Sequence, residues 1–220
     1  MTSTARTDPD EAARQTRAEH RSAQLLDAAA RLMERDGSQA VSMQAVAAEA
    51  GVSVGLIYRY FGGKDDLLLA VILGVLDSFA TRVPQAVEAA GDDPAARLAA
   101  AFRSYCEVID EYRHAAVLTY RETKSLSAEG RTRIKELEVQ TSEPLRGILR
   151  EGVEAGVFVV PDVEIVAYDL LLLAHAWALK HWYFERTLGF DDYVNHQTAL
   201  VLRSIIEPRH RRKYAALLGH

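Results

Sequence analysis

The chain has 220 residues, 49% of them hydrophobic and 26% charged, with a net charge of −5 and a single cysteine. That balance excludes wholesale disorder and collagen-like sequence, and one cysteine excludes a disulfide scaffold or a cysteine-based metal cluster and fits a cytosolic home. Eight of the 26 Lys/Arg and eight of the 31 Asp/Glu fall within residues 1–64, so this part is neutral and the rest carries the whole −5; attraction to nucleic acid then requires a local cationic surface.

Residues 1–16 are polar and read as a disordered arm. From Arg17 the period becomes helical, with Leu25, Leu26, Ala29, Leu32 and Met33 on one face and a stop at Asp36-Gly37. Ser42 suits the N-cap of a short helix to about Ala50, and Ser53 that of a second one running into Tyr58-Arg59-Tyr60-Phe61. Gly51 and Gly62-Gly63 break the chain between helices. A long apolar helix begins near Lys64, and Asp93-Pro94 opens another that carries Leu98, Phe102, Tyr105 and Ile109. Further helices are expected over about 114–125, 131–155, 162–187 and 191–207. Val157–Val160 alone reads like a strand, too short and isolated to build a sheet. The fold class is all-α: an N-terminal three-helix head over 17–63, a larger helical body over 64–207, and a basic, solvated tail over 208–220. The longest strongly apolar run, Leu170–Leu179, is interrupted by His175 and falls short of the roughly 20 residues that cross a membrane. No apolar leader is seen in residues 1–20.

The informative stretch is Ser42–Lys64, SMQAVAAEAGVSVGLIYRYFGGK. A helix-turn-helix needs a small residue where its helices cross, a residue tolerant of positive φ in the turn, and an apolar residue that locks the second helix to the first. Ala47, Gly51 and Ile57 stand at those spacings, with Val46, Ala50 and Val52 at the remaining inward positions. The second helix then presents groups suited to DNA. Ser53 sits where a helix N-terminus favours phosphate. Val54, Gly55 and Leu56 allow close approach to base edges and a thymine methyl. Tyr58, Arg59 and Tyr60 can hydrogen-bond phosphates or bases, and Ser42 and Lys64 stand beside them. Arg14, Arg17 and Arg21 either reach the DNA backbone or belong to a solvated arm. Core packing competes for Tyr60 and, more strongly, for Phe61.

The stretch VSMQAVAAEAGVSVGLIYRYFGGKDDLLLAVI resembles the N-terminal domain of the TetR family of bacterial transcriptional regulators, with the match strong over about 17–72. Gly63 replaces the frequent Ser that caps the fourth helix, and Arg59-Tyr60 stands where Tyr-His or Arg-His is common. The resemblance implies a repressor that binds double-stranded operator DNA as a homodimer and is released by a small-molecule effector. It implies dimerisation through a four-helix bundle of 162–187 and 191–207. Helix 162–187 is apolar nearly all round, with Tyr168, Leu172, His175, Leu179 and Trp182 on one face and Leu171, Ala174, Ala178 and His181 on another. One side faces its own core and the other a partner, beside the Val194, Gln197, Leu200, Val201, Ser204, Ile205 side of the last helix.

Phe79, Phe102, Tyr105, Ile109, Tyr120, Leu172, His175 and Trp182 offer apolar walls with polar tips, the make-up of either a small-molecule site or plain core. VLTYRETKSL (117–126) and KHWYFERTL (180–188) are similar to regions in the acyl-CoA-responsive branch of the family. That likeness implies an acyl-CoA-like effector, with Arg121 or Lys124 pairing its phosphates or a carboxylate. An activator, or a regulator that binds DNA only with ligand, is the alternative of the same fold. No enzymatic activity, cofactor or metal is expected: the seven histidines form no H-x-x-x-H pair. Gly51-Val-Ser-Val-Gly55 formally matches the G-x-S-x-G nucleophile elbow, which would make the protein a small helical serine hydrolase acting through Ser53. That elbow requires a preceding strand, and an alanine-rich segment precedes Ser53 instead.

Overall fold

The computed structural model describes residues 9–219, with side chains from Arg21 onward. The described residues form eleven α-helices, two short 3-10 turns and no strand, in agreement with the all-α reading. By contacts the chain divides into two compact units at Val71/Ile72.

The first unit holds α1 (Pro9–Asp36), α2 (Met43–Glu49), α3 (Val54–Phe61) and the first two turns of α4 (Lys64–Ala89). Helix α1 starts eight residues before Arg17, so residues 9–16 are helical where a disordered arm is expected from their polarity; residues 1–8 lie outside the described ones. A proline fits the first helical position, where its missing N–H is no loss, and Ala12-Ala13 favour propagation. Of the α1 face read from periodicity, Leu25, Ala29, Leu32 and Met33 are buried and Leu26 is half-buried; Ala28, Val46, Ala47, Ile57, Leu67 and Leu68 join them in the core of this unit.

The second unit comprises the rest of α4, then α5 (Pro94–Glu111), α6 (Arg113–Glu122), α7 (Ala128–Thr141), α8 (Glu143–Glu154), α9 (Val163–Leu179), α10 (His181–Phe184) and α11 (Phe190–Ile205). Asp93 caps α5 by accepting from the N–H groups of Ala95 and Ala96. Helix α5 is the central element and packs against α8, α9 and α11. The single helix expected over 131–155 is two. Pro144 has no N–H to continue α7, and the Thr141 and Ser142 hydroxyls turn back onto the Glu138 and Val139 carbonyls. Helix α7 also starts three residues early, because Ser127 caps it through the Gly130 N–H. The helix expected over 162–187 breaks at Lys180 (φ −123°, ψ 25°). Residues 157–160 make an isolated antiparallel bridge, Phe158 opposite Ile206.

Helix α4 is the one helix among the described residues long and apolar enough to cross a membrane by length and composition. Leu67, Leu68, Val71, Ile72, Val75, Leu76, Phe79 and Val83 are buried along it, the pattern of a core helix. The segment after Ile206 is not a solvated tail. Tyr214 and Leu218 are buried, Arg203 donates to the Leu218 carbonyl at 2.9 Å, and Lys213 pairs with Asp93 at 2.6 Å. The basic run Arg209–Lys213 hides these two apolar anchors from a reading by charge.

Candidate nucleic-acid interface and body cleft

The turn between α2 and α3 is built as its sequence dictates. Ser42 Oγ accepts from the Ala45 N–H at 3.1 Å and Ser53 Oγ from the Leu56 N–H at 3.3 Å, so each serine caps its helix. Gly51 takes φ +66°, a left-handed value that favours glycine. The Val52 N–H closes the turn on the Ala47 carbonyl at 2.9 Å. Ala47 and Ile57 are buried against each other's helices, while Ala50 and Val52 are half-buried. The G-x-S-x-G match has no strand before it and its serine hydroxyl serves as a cap.

One side of α3 stays open. Ser53, Gly55, Tyr58, Arg59 and Tyr60 are exposed, Val54 and Leu56 are half-buried, and Tyr58 reaches 47% exposure. Phe61 is half-buried, as core packing requires, but Tyr60 is on the surface. Arg59 has no ion pair among the described residues, whereas Arg31 pairs with Asp27 and Glu49, and Arg35 with Asp36. Lys64 extends its ammonium to the Gln39 carbonyl at 3.0 Å, tying the start of α4 to the loop before α2. Ser42 and Arg21 are exposed; the side chains of Arg14 and Arg17 lie outside the described residues.

Gly55 has no structural reason to be glycine. Its φ is not positive, and a Cβ there would meet nothing within 4 Å. Glycine inside a helix is about 1 kcal/mol worse than alanine, so α3 gives up stability at an exposed position where only an external surface benefits.

In the body, α4, α5, α6, α7 and α9 enclose a cleft of about 50 Å³. Its floor is Ile72, Val75, Leu76, Phe79, Ile109 and Leu171, all buried. Thr119, Thr141 and His175 stand above them, and Tyr120, Glu138, Tyr168 and Leu172 form the mouth. The Tyr120 hydroxyl and His175 Nδ1 are 2.9 Å apart. Of the residues expected from sequence, Phe79, Ile109, Tyr120, Leu172 and His175 come together here. Phe102 and Tyr105 do not line the cleft: they are core, with the Tyr105 hydroxyl bound to the Thr141 carbonyl. Arg121 and Lys124 are exposed outside it. The break at Lys180 ends the helical register that aligned Trp182 with His175, and Trp182 is 62% exposed. The buried tryptophan is Trp177, whose indole N–H donates to Asp110 at 2.7 Å. Glu138, Thr119 and Thr141 were missed because they lie on polar helix faces whose only signal is tertiary.

Burial lowers the His175 imidazole to about 4. In the unfolded chain a histidine titrates near 6.5, so between these values the unfolded state binds more protons. The stability owed to a neutral His175 is complete above about pH 6.5 and is lost as pH falls toward 4. Urea midpoints of the wild type are expected to drop more steeply through that window than those of His175→Phe; parallel curves would contradict the assignment.

Among the described residues no group of three or more His, Cys, Asp or Glu is placed to hold a metal ion. Residues 25–71 match the family model described as bacterial regulatory proteins, tetR family, and residues 91–205 match the tetracyclin repressor-like C-terminal domain. The chain is 38% identical over 189 residues to the HTH-type transcriptional regulator HbdR of Aromatoleum sp. (strain CIB), covering 86% of this chain and 82% of that one. It is 30% identical over 191 residues to the HTH-type transcriptional repressor KstR2 of Rhodococcus jostii (strain RHA1), covering 86% and 92%. The fold is shared with AibR, solved in complex with isovaleryl coenzyme A and operator DNA, at a TM-score of 0.68 and 21% identity over 82% of this chain and 97% of that one.

Proposed function

The chain belongs to the TetR family of bacterial transcriptional regulators, and from that premise we propose that it is a cytoplasmic, ligand-responsive repressor without enzymatic activity. It binds a palindromic operator as a homodimer and is released by a small apolar or acyl-CoA-like effector. The observation that carries the DNA-binding part is the open side of α3, with its unexplained glycine at 55 between a capping serine and Tyr58-Arg59-Tyr60.

In this reading α3 enters the major groove. Gly55 lets the backbone approach the bases, Val54 and Leu56 meet thymine methyls, and Tyr58, Arg59 and Tyr60 bind phosphates or base edges. Ser42, Ser53, Arg17, Arg21 and Lys64 flank it on the DNA backbone. Lys64 would have to exchange its Gln39 carbonyl for a phosphate. The head unit, residues up to about 71, serves as the DNA-binding domain, and the rest as the effector and dimerisation domain.

Dimerisation is assigned to the exposed apolar side chains of α9 and α11 away from the cleft mouth: Ile165 with Leu200, beside the half-exposed Val201. Val194 and Ile205, on the side of the last helix expected to face a partner, are buried in the body; of the two apolar faces of α9, the one carrying Leu171, Ala174 and Ala178 is the one turned to its own core. Effector control runs through α4. That helix lines the cleft with four residues and begins in the head unit. A cleft of about 50 Å³ must widen to take an acyl group, which displaces α4. Moving from mostly bound to mostly released requires roughly 5.5 kcal/mol of differential affinity, within reach of apolar burial at about 25 cal/mol per Å². The AibR complex with isovaleryl coenzyme A supports an acyl-CoA as a candidate effector.

A gel-shift with the DNA upstream of the gene tests the proposal. A sequence-preferring complex is expected, with affinity falling steeply as salt rises, and isovaleryl coenzyme A or a longer acyl-CoA should release it. No salt-sensitive complex would overturn the DNA-binding assignment, and tighter binding with acyl-CoA would make the protein a ligand-dependent binder instead.

A further inference from the structure

We propose that the cleft accepts an uncharged, apolar portion of the effector that presents a hydrogen-bond donor, such as a hydroxyl or amide N–H, and that Glu138 at the mouth receives it. The inference rests on the reading of this cleft as the effector site and adds the chemistry of what enters.

Few protons in the cleft are free to be donated. No lysine or arginine is among the described residues that line the cleft; Lys135 acts on Glu138 from outside the lining. The Thr119 hydroxyl donates to the Ala115 carbonyl at 2.8 Å and the Thr141 hydroxyl to the Glu138 carbonyl at 2.9 Å. Both are left with acceptor lone pairs only. Tyr120 and His175 share one proton between them in either tautomer, so the pair keeps a single donor. Partial burial raises the Glu138 carboxyl above its ordinary value while Lys135 draws it back, and in its ionised form it adds acceptors and a negative charge. The exposed Tyr168 hydroxyl at the mouth adds a second donor, and acceptors still outnumber donors above the apolar floor. A ligand carboxylate, which can only accept, can pair with these few donors but meets the Glu138 carboxylate and leaves the surplus acceptors unpaired. A hydroxyl both donates to this surplus and accepts from the Tyr120–His175 pair. An acyl-CoA fits if its uncharged acyl and amide portions pass the mouth and its phosphates stay outside.

The test compares four matched probes on the full-length protein: naphthalene, 2-naphthol, 2-methoxynaphthalene and 2-naphthoate, titrated at neutral pH by calorimetry. The expected order is naphthol about tenfold tighter than methoxynaphthalene, with naphthoate weakest. Glu138→Gln should improve naphthoate binding, Glu138→Ala should cut the advantage of naphthol severalfold, and both should leave naphthalene unchanged. Because Glu138 is on the surface, both variants are expected to fold. Equal affinities for naphthol and naphthoate, or a preference that survives both substitutions, would overturn the donor assignment while leaving the cleft as the effector site. Failure of all four probes to bind would overturn the cleft reading itself, and this inference with it.

Discussion

Replacing Gly152 by alanine is expected to destabilise the helical body by about 1–3 kcal/mol, the range for overpacking a filled core. A Cβ at this position would lie 2.0 Å from Phe158 Cδ2 and 2.4 Å from Cε2. The ring cannot retreat. Phe158 is buried, and its N–H and that of Val157 both donate to the Gly152 carbonyl at 2.9 Å. The Val159 N–H reaches the Ile205 carbonyl at 2.7 Å, and the Glu207 N–H reaches Val157 at 2.9 Å. The isolated bridge thus pins the aromatic ring over the last turns of α8. Gly147 in the same helix is the control: a Cβ there meets nothing within 4 Å, so Gly147→Ala should raise stability, by up to about 1 kcal/mol. Urea unfolding followed by circular dichroism reads both. Equal midpoints for the two variants would contradict the packing described.

Gly55→Ala is expected to act in opposite directions on fold and function. Helix α3 gains roughly 0.8–1 kcal/mol of propensity, because no backbone strain or clash opposes the methyl. Operator affinity should fall by about ten- to a hundredfold, the consequence of losing 1–3 kcal/mol where a helix must approach base edges closely. A variant that is more stable and also binds DNA as tightly as the wild type would remove Gly55 from the interface. A variant that is less stable would mean that the glycine serves the fold after all.

The sequence made the head legible because its signals are local. A serine two residues past a turn glycine, an alanine at a crossing and a buried isoleucine six positions beyond Gly51 each have a backbone or packing reason independent of the rest of the chain. The body was legible only where one helix carries its own punctuation, as at Asp93-Pro94. The break at Pro144 was passed over because the apolar spacing continues across it from Ile134 to Ile148. The break at Lys180 carries neither glycine nor proline, and an apolar pattern on both sides disguised it. The cleft was half-read for the same reason. Phe79, Ile109 and His175 are on apolar faces that periodicity detects, whereas Glu138 and Thr141 are brought to the cleft only by the tertiary placement of α7. Tyr105 and Phe102 look identical to the cleft aromatic Phe79 in sequence, and all three are buried; only their position in the packed body separates them. In the last segment, Tyr214 and Leu218 are two apolar residues in a charged run; the Tyr214 hydroxyl is held by Asp93, 121 positions away, and the Leu218 carbonyl by Arg203.

In the proposed operator complex α3 enters the major groove. Dimethyl sulfate protection of operator guanines reports on that groove alone, because the reagent attacks guanine N7 there. Two protected clusters about ten base pairs apart are expected, both fading when Gly55 is replaced by alanine. Binding that leaves every guanine N7 open to the reagent would contradict this placement of α3.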